Sequence, residues 1–320
     1  TFAQMKALWF ANSRYTTEFT AAYANRDNSF IAETDSTITE SHDWDFEWSL
    51  NLVEAIALTG NNTLRVGGFY NRWVAPYGKR FYAGRRCDLS TFAGVVVDEH
   101  RFGRLLLDGG LRWQRTYMNE YGAYNIDGTA KGFGKVPPVT DTWEPSILNW
   151  SLGASFAASP VLTLNANASA GTIRSRPGTL TSDLADPDDE FRFKLDAGFQ
   201  ARLRNAGLFT LTGFYVKQDN AIILSGATQK VDDRIHELYE NRDQDQTGVE
   251  MELRSTSLWK MGNVFFNIAV MNNRAEIGGD MKKDEEKPDV VMGGGVSLSR
   301  NGYDLNIFVK SMSPYESARF

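Results

Sequence analysis

Cysteine is almost absent. Cys87 is the only one in 320 residues, which excludes an internal disulfide framework and a cysteine-based metal centre. Long apolar runs are missing too: no stretch approaches the roughly 18 residues that a transmembrane helix needs. The first residues, TFAQMKALWF, have neither an initiating Met nor the basic, apolar and small-residue order of an export signal, so the chain is expected to be mature, processed or a fragment. Histidine is scarce. His42, His100 and His236 stand far apart, without Cys or Glu partners at metal-ligand spacing, so neither a zinc site nor an acid–base centre is expected, and no cofactor is implied. Positive charge is in deficit: 34 Lys and Arg against 40 Asp and Glu give −6, which argues against a nucleic-acid partner.

What is present is alternation. From Glu190 to Arg204 one face carries Phe191, Phe193, Leu195, Ala197, Phe199, Ala201 and Leu203, and the other carries Glu190, Arg192, Lys194, Asp196, Gln200, Arg202 and Arg204. A period of 2 marks a strand. Globular strands run about 5 to 6 residues, whereas a tilted strand crossing a bilayer needs roughly 9 to 11. One apolar face and one charged face over such a length fit a barrel with lipid outside and water inside. The mean hydropathy of −0.38 does not oppose this, because lumen-facing residues and external loops dilute the lipid-facing half.

The same scheme recurs along the chain. Trp44, Phe46, Trp48, Leu50, Leu52, Ile56 and Leu58 share a face, and the aromatics at its start predict a girdle at the membrane interface. Short turns are expected near residues 13, 60, 102, 159, 206, 259 and 301, with a long polar loop between each pair. Regular alternation of short and long connections predicts about fourteen strands of an all-β, antiparallel, up-and-down transmembrane barrel, with short periplasmic turns and long external loops. A soluble sandwich or solenoid would have shorter strands and less lopsided loops.

Several stretches resemble one family, the TonB-dependent receptors of the outer membrane. DEHRFGRLLLDGGLRWQ is similar to that family's barrel stretch of an acidic residue, a short turn, alternating Leu and Gly-Leu-Arg. WSLGASFAASPVLTLNANASAGTIRSRPGTL resembles its next hairpin, with Arg174 to Pro177 where the family has an Arg-Pro pair. ADPDDEFRFKLDAG and NRDQDQTGVEMELR are similar to the strands that follow. The resemblance covers most of the chain from about Ser90. It implies the barrel domain, residues 1–320, of a receptor whose barrel has about 22 strands, with the N-terminal plug and first strands not in this chain. It also implies a diderm outer membrane with its lipid and lipopolysaccharide, energy-coupled uptake of a scarce solute (siderophore, cobalamin, oligosaccharide or peptide), and contact with the TonB–ExbB–ExbD system through the plug. The alternatives are an anchoring barrel in a larger outer-membrane assembly, or a smaller passive porin.

Candidate ligand contacts are the aromatics of the long loops, Tyr77, Tyr82, Tyr121, Tyr124 and Trp143, whose flat rings offer contact area at little entropic cost. Packing between loops is the competing role for each of them. Arg112, Arg192, Lys194 and Arg202 are lumen charges that fit a plug, an anionic solute or plain solvation. Asp186, Asp188 and Asp189 read as a solvated acidic loop before they read as a Ca²⁺ site, and Cys87 reads as an incidental thiol in an Arg-rich loop.

Overall fold

The structure is a computed structural model describing residues 1–27, 29–34, 37–41, 44–77, 86–121, 138–175, 179–183, 185–203, 207–231, 234–255, 262–300 and 303–315. In chain order its strands are β1 (Phe2–Asn12), β2 (Tyr15–Asp27), β3 (Phe30–Thr34), β4 (Thr37–Ser41), β5 (Trp44–Thr59), β6 (Asn62–Ala75), β7 (Cys87–Phe102), β8 (Leu105–Tyr121), β9 (Val139–Trp143), β10 (Ile147–Ser159), β11 (Leu162–Ile173), β12 (Glu190–Leu203), β13 (Gly207–Val231), β14 (Arg234–Ser255), β15 (Gly262–Ile277), β16 (Asp280–Lys283), β17 (Val290–Arg300) and β18 (Tyr303–Met312). Fourteen of them form one wall in the order β1-β2-β5-β6-β7-β8-β10-β11-β12-β13-β14-β15-β17-β18, while β9 adds to β8 and β16 to β15. β3 and β4 make a separate hairpin.

Register gives the wall two chemically distinct faces. In β12, Phe193, Leu195, Ala197 and Phe199 lie opposite Ala170, Ala168, Ala166 and Leu164 of β11, and on the other side Leu195, Ala197 and Phe199 oppose Tyr215, Gly213 and Leu211 of β13. Directly opposed residues share a face. Bulky side chains on β12 therefore lie beside alanines on β11, so the face is smooth as well as apolar. It points away from the protein: Leu111, Leu148 and Leu152 are 54%, 59% and 59% exposed. Apolar groups left in contact with solvent at this density mark a surface made for lipid.

The aromatic girdle takes form as a ring-to-ring chain on this outer face. Trp48 meets Tyr70 at 5.2 Å, Tyr70 meets Phe92 at 4.9 Å, Phe92 meets Trp143 at 5.7 Å and Trp143 meets Tyr117 at 5.0 Å. Centroid spacings of about 4.5–7 Å are those of attractive tilted pairs. The chain crosses β5, β6, β7 and β8 at one height, which fixes where hydrocarbon ends and headgroups begin.

Short turns close the opposite ends at residues 13–14, 60–61, 103–104 and 160–161. Gly103 has φ +59 in its turn, a left-handed conformation that glycine adopts without a Cβ clash. The turns expected near 206, 259 and 301 lie outside the described residues. At the two edges β1 pairs with β2 and β18 with β17, and no ladder joins β1 to β18 among the described residues.

Two expectations are corrected. Cys87 opens strand β7 opposite Ala75 rather than lying in a loop, and it is fully buried. Residues 219–246, expected to be a loop, continue the ladder of β13 and β14 up to Val231 opposite Arg234. Only scattered positions of that ribbon, Ala221, Leu238 and Gln244, are buried among the described residues, so no regular hydrophobic period betrays the pairing.

Candidate functional site

The inner face of the wall is polar, and its charges are held locally. Arg192 donates to Glu190 from Nε at 2.9 Å and from a terminal nitrogen at 2.6 Å, and Gln218 donates to the same carboxylate at 3.0 Å. Glu190 is almost wholly buried by these contacts. Arg26 pairs with Asp45 at 2.7 Å and Glu47 at 2.9 Å. Lys194 lies 3.5 Å from Asp196. Arg112 donates to Gln114 at 2.9 Å and sits 5.8 Å over the Phe69 ring. Three of the four expected lumen cations are thus engaged by neighbours on the wall, which leaves a surface better suited to hydrogen bonding than to capturing net charge. Arg202, the fourth, opposes Leu208.

Lower on the inner face, Thr210, Thr212, Glu250, Glu252, Arg254 and Asn267 line a groove of about 860 Å³. Glu252 pairs with Arg254 within it. At this volume the groove is in the range that holds small molecules or a packed protein segment.

Two connections fold across the inner side of the outer mouth. In the first, Leu180 is fully buried and shares a cluster with Ala75, Cys87 and Leu238, against which Trp73 and Tyr121 pack. The Tyr239 amide donates to the Leu180 carbonyl at 2.7 Å. Asn241 receives the Asp188 amide at 2.8 Å and donates to its carbonyl at 3.0 Å. Arg174 anchors the base of this connection, donating to the Pro145 carbonyl at 2.7 Å and to Asp189 at 3.2 Å and pairing with Glu144.

The second connection follows β16. Asn273, 1% exposed, donates to the Pro288 carbonyl at 3.1 Å and accepts from Gln246 at 2.7 Å. Lys287 reaches Gln244 at 2.7 Å and buried Asp284 at 3.2 Å. Beside it, the hydrogen bond to Asp289 at 2.6 Å holds the Lys283 ammonium above its usual pKa.

The sequence-predicted aromatics fall in three places. Tyr121 packs against the Leu180 cluster beneath the mouth. Tyr77 stands at the top of the wall with its ring 6.0 Å from Trp44, edge-on. Trp143 belongs to the outer girdle, opposite Tyr117 and with Arg115 5.0 Å over its ring. Tyr82 and Tyr124 lie outside the described residues. Among the described residues no group of His, Cys, Asp and Glu is arranged to hold a metal. In the acidic loop the Asp189 carboxylate is engaged by Arg174 and the Asp188 backbone by Asn241, and His100 stacks on Phe102 at 3.9 Å near the short-turn end.

Leu180 and Leu238 are the residues that sequence reasoning missed. An isolated leucine in a polar loop is common on surfaces, so nothing local marked either as a buried pin.

A family model described as TonB dependent receptor-like, beta-barrel matches residues 3–303. Solved structures agree in fold. The ferric-catecholate import receptor Fiu from E. coli K12 is 12% identical with a TM-score of 0.63, over 97% of this chain and 53% of that one. The copper transporter OprC is 10% identical with a TM-score of 0.69, over 97% and 51%. The siderophore receptor PiuA from Acinetobacter baumannii is 10% identical with a TM-score of 0.63, over 93% and 52%. The chain spans about half the length of these proteins. No curated protein matches it.

Proposed function

The chain belongs to the TonB-dependent receptor β-barrel family of the Gram-negative outer membrane, and on that premise we propose that it is barrel wall of an energy-coupled uptake receptor. The observation that carries the reading is the pairing of a girdled, lipid-facing wall with long connections folded across the mouth, an arrangement for holding a solute rather than for passive flow. We further propose that residues 1–320 are the barrel domain of a longer receptor. Unpaired strand edges in hydrocarbon cost several kcal/mol for each unsatisfied group, so β1 and β18 need further strands beside them.

On this reading a plug fills the inner face, with the groove around Glu250 as one of its seats, and passes the force of the TonB–ExbB–ExbD system to the barrel. Lipid and lipopolysaccharide surround the apolar face. The solute is a siderophore, cobalamin, an oligosaccharide or a peptide, met first by loop aromatics. Tyr121 has the strongest geometric support among these, with Tyr82 and Tyr124 kept as candidates from sequence. Tyr77 and Trp143 have the least, since their ring neighbours lie on the girdle face.

The test is accumulation of a labelled panel of these four solute classes by cells with and without the gene, before and after collapse of the proton gradient. Gene-dependent uptake of one class that stops with the gradient is expected. Uptake that persists without the gradient would favour a passive porin, and gene-independent uptake of all four would favour an anchoring role.

A further inference from the structure

We propose that the outer face of β5 to β8 docks a second outer-membrane protein, one that presents Lys or Arg side chains from its own membrane-spanning surface to Glu54 and Asp98. Register places both carboxylates among lipid-facing residues: Glu54 lies opposite Val66 on the face of Leu52 and Ile56, and Asp98 lies between Leu64 and Gly109. Their depth is the same. Glu54 is six residues below Trp48 of the girdle and four above Leu58, and Asp98 is six below Phe92 and four above Phe102. With roughly 3.3 Å per residue and a tilt near 40°, each stands about 15 Å below the girdle and about 10 Å above the lower end of a band about 25 Å tall. An ionisable group at that depth is costly against lipid and marks a contact.

Among the described residues neither carboxylate has a cation beside it. Glu54 accepts from the Thr17 hydroxyl and Asp98 from Asn62 Nδ2 at 2.8 Å, both neutral donors. Asn62 is 7% exposed and its Oδ1 is buried without a partner, so the site is short of a donor as well as of positive charge. Above the carboxylates the surface is hollow. Gly68 and Gly94 face each other in register, a Cβ on either would meet nothing within 4 Å, and exposed Leu52 and Trp113 flank them. Small residues let a neighbour come close within a membrane. Lipid headgroups stay at the two ends of the band, about 10 Å or more from either carboxylate. A second copy does not match either. On the wall from β1 to β15, below the ribbon of β13 and β14, the outer-face cations are Arg72, Arg115, Lys217 and Arg274, and each is bonded to a neighbour. The complement is a different protein with cations at mid-membrane depth.

The test is photo-cross-linking of the full receptor in its own outer membrane, with p-benzoylphenylalanine in place of Val66, which lies between the two carboxylates, or of Val249 on the outer face of β14 as a control. One discrete protein adduct is expected at Val66 and none at Val249, with the attached peptide coming from a membrane-spanning segment that contains Lys or Arg. Glu54→Gln together with Asp98→Asn should lower the adduct at least about tenfold, as the loss of a desolvated charge pair does. Exchanging the charges, Glu54→Lys with the partner's cation changed to Glu, should bring it back. Heat-modifiable migration checks assembly of every variant, and Asp98→Asn alone is read if the double variant does not assemble. Lipid adducts only, or the same adduct at both positions, overturns the docking. A receptor–receptor adduct overturns the choice of partner in favour of a second copy. An adduct that survives neutralisation of both carboxylates overturns their role. In vesicles without the partner, the neutralised variant should unfold at the same or a higher urea concentration; a lower midpoint means that the carboxylates serve the fold itself and also overturns the proposal. No solute enters any of these readouts, so this inference and the uptake reading fail separately.

Discussion

The wall at β11–β12 and the upper ribbon of β13–β14 use the same antiparallel ladder but tolerate different irregularity. From Leu162 opposite Ala201 to Ile173 opposite Glu190, the first ladder runs without a shift. The second shifts between Gln218 and Ala221 and again between Leu224 and Thr228, with positive φ at Asn220 and Gly226. In the wall a one-residue slip would exchange the lipid-facing set for the charged set. In the ribbon only isolated residues such as Ala221 and Leu238 are buried, so a bulge exchanges no continuous lipid-facing set and costs chiefly local pairing. Uniform register is therefore a property imposed by the membrane, not by the ladder.

A single-residue insertion separates the two regions most sharply. One Ala inserted between Gly198 and Phe199 turns Arg202 toward lipid and is expected to abolish assembly, read as loss of the heat-modifiable band. The same insertion between Ala227 and Thr228, beside an existing shift, should leave that band in place. Next in size is Leu211→Arg, on the outer face between Phe199 and Met251. It should cost about 2–4 kcal/mol, as cations near the midplane of a barrel do, measured by urea unfolding in vesicles. Thr228→Arg in the ribbon should stay within about 0.5 kcal/mol.

A polar exception on the outer face sharpens the rule. Thr17 donates its hydroxyl to Glu54, and both lie in register with Val66, on the face of Leu52 and Ile56. Thr17→Val should destabilise by about 1–3 kcal/mol through the orphaned carboxylate, and Glu54→Leu in the same background should recover most of the loss. Recovery that failed to appear would mean that Glu54 serves more than its threonine. The smallest effect is local. Asn273→Ala removes the bonds to Gln246 and Pro288 and should raise proteolysis or hydrogen exchange after β16 by the equivalent of about 1–2 kcal/mol, with the unfolding midpoint of the wall unchanged.

The wall was legible in the sequence because lipid and water sort alternate side chains over whole strands. The faces of Glu190–Leu203, the aromatic height marked by Trp48 and the described short turns all follow from that sorting. The ribbon at 219–246 was not legible, since its pairing carries no hydrophobic signal, and Cys87 looked like loop for the same reason among its arginines. At the candidate site the sequence marked aromatic side chains in loops without distinguishing their roles: Trp143 joins the girdle, while Tyr121 lies under the mouth.

Alternation by itself determined the architecture and the membrane-facing residues, because both are written in neighbours one or two positions apart; the family was legible only through the resemblance of longer stretches. Tertiary structure alone decided that Leu180 lies against Cys87 and Leu238, that Asn273 holds the Pro288 carbonyl, and that most of the inner cations are engaged by groups on the wall. Those contacts join residues far apart along the chain, and they exist only once the sheet has curled and its connections have folded inward. No local pattern encodes the curvature that brings them together.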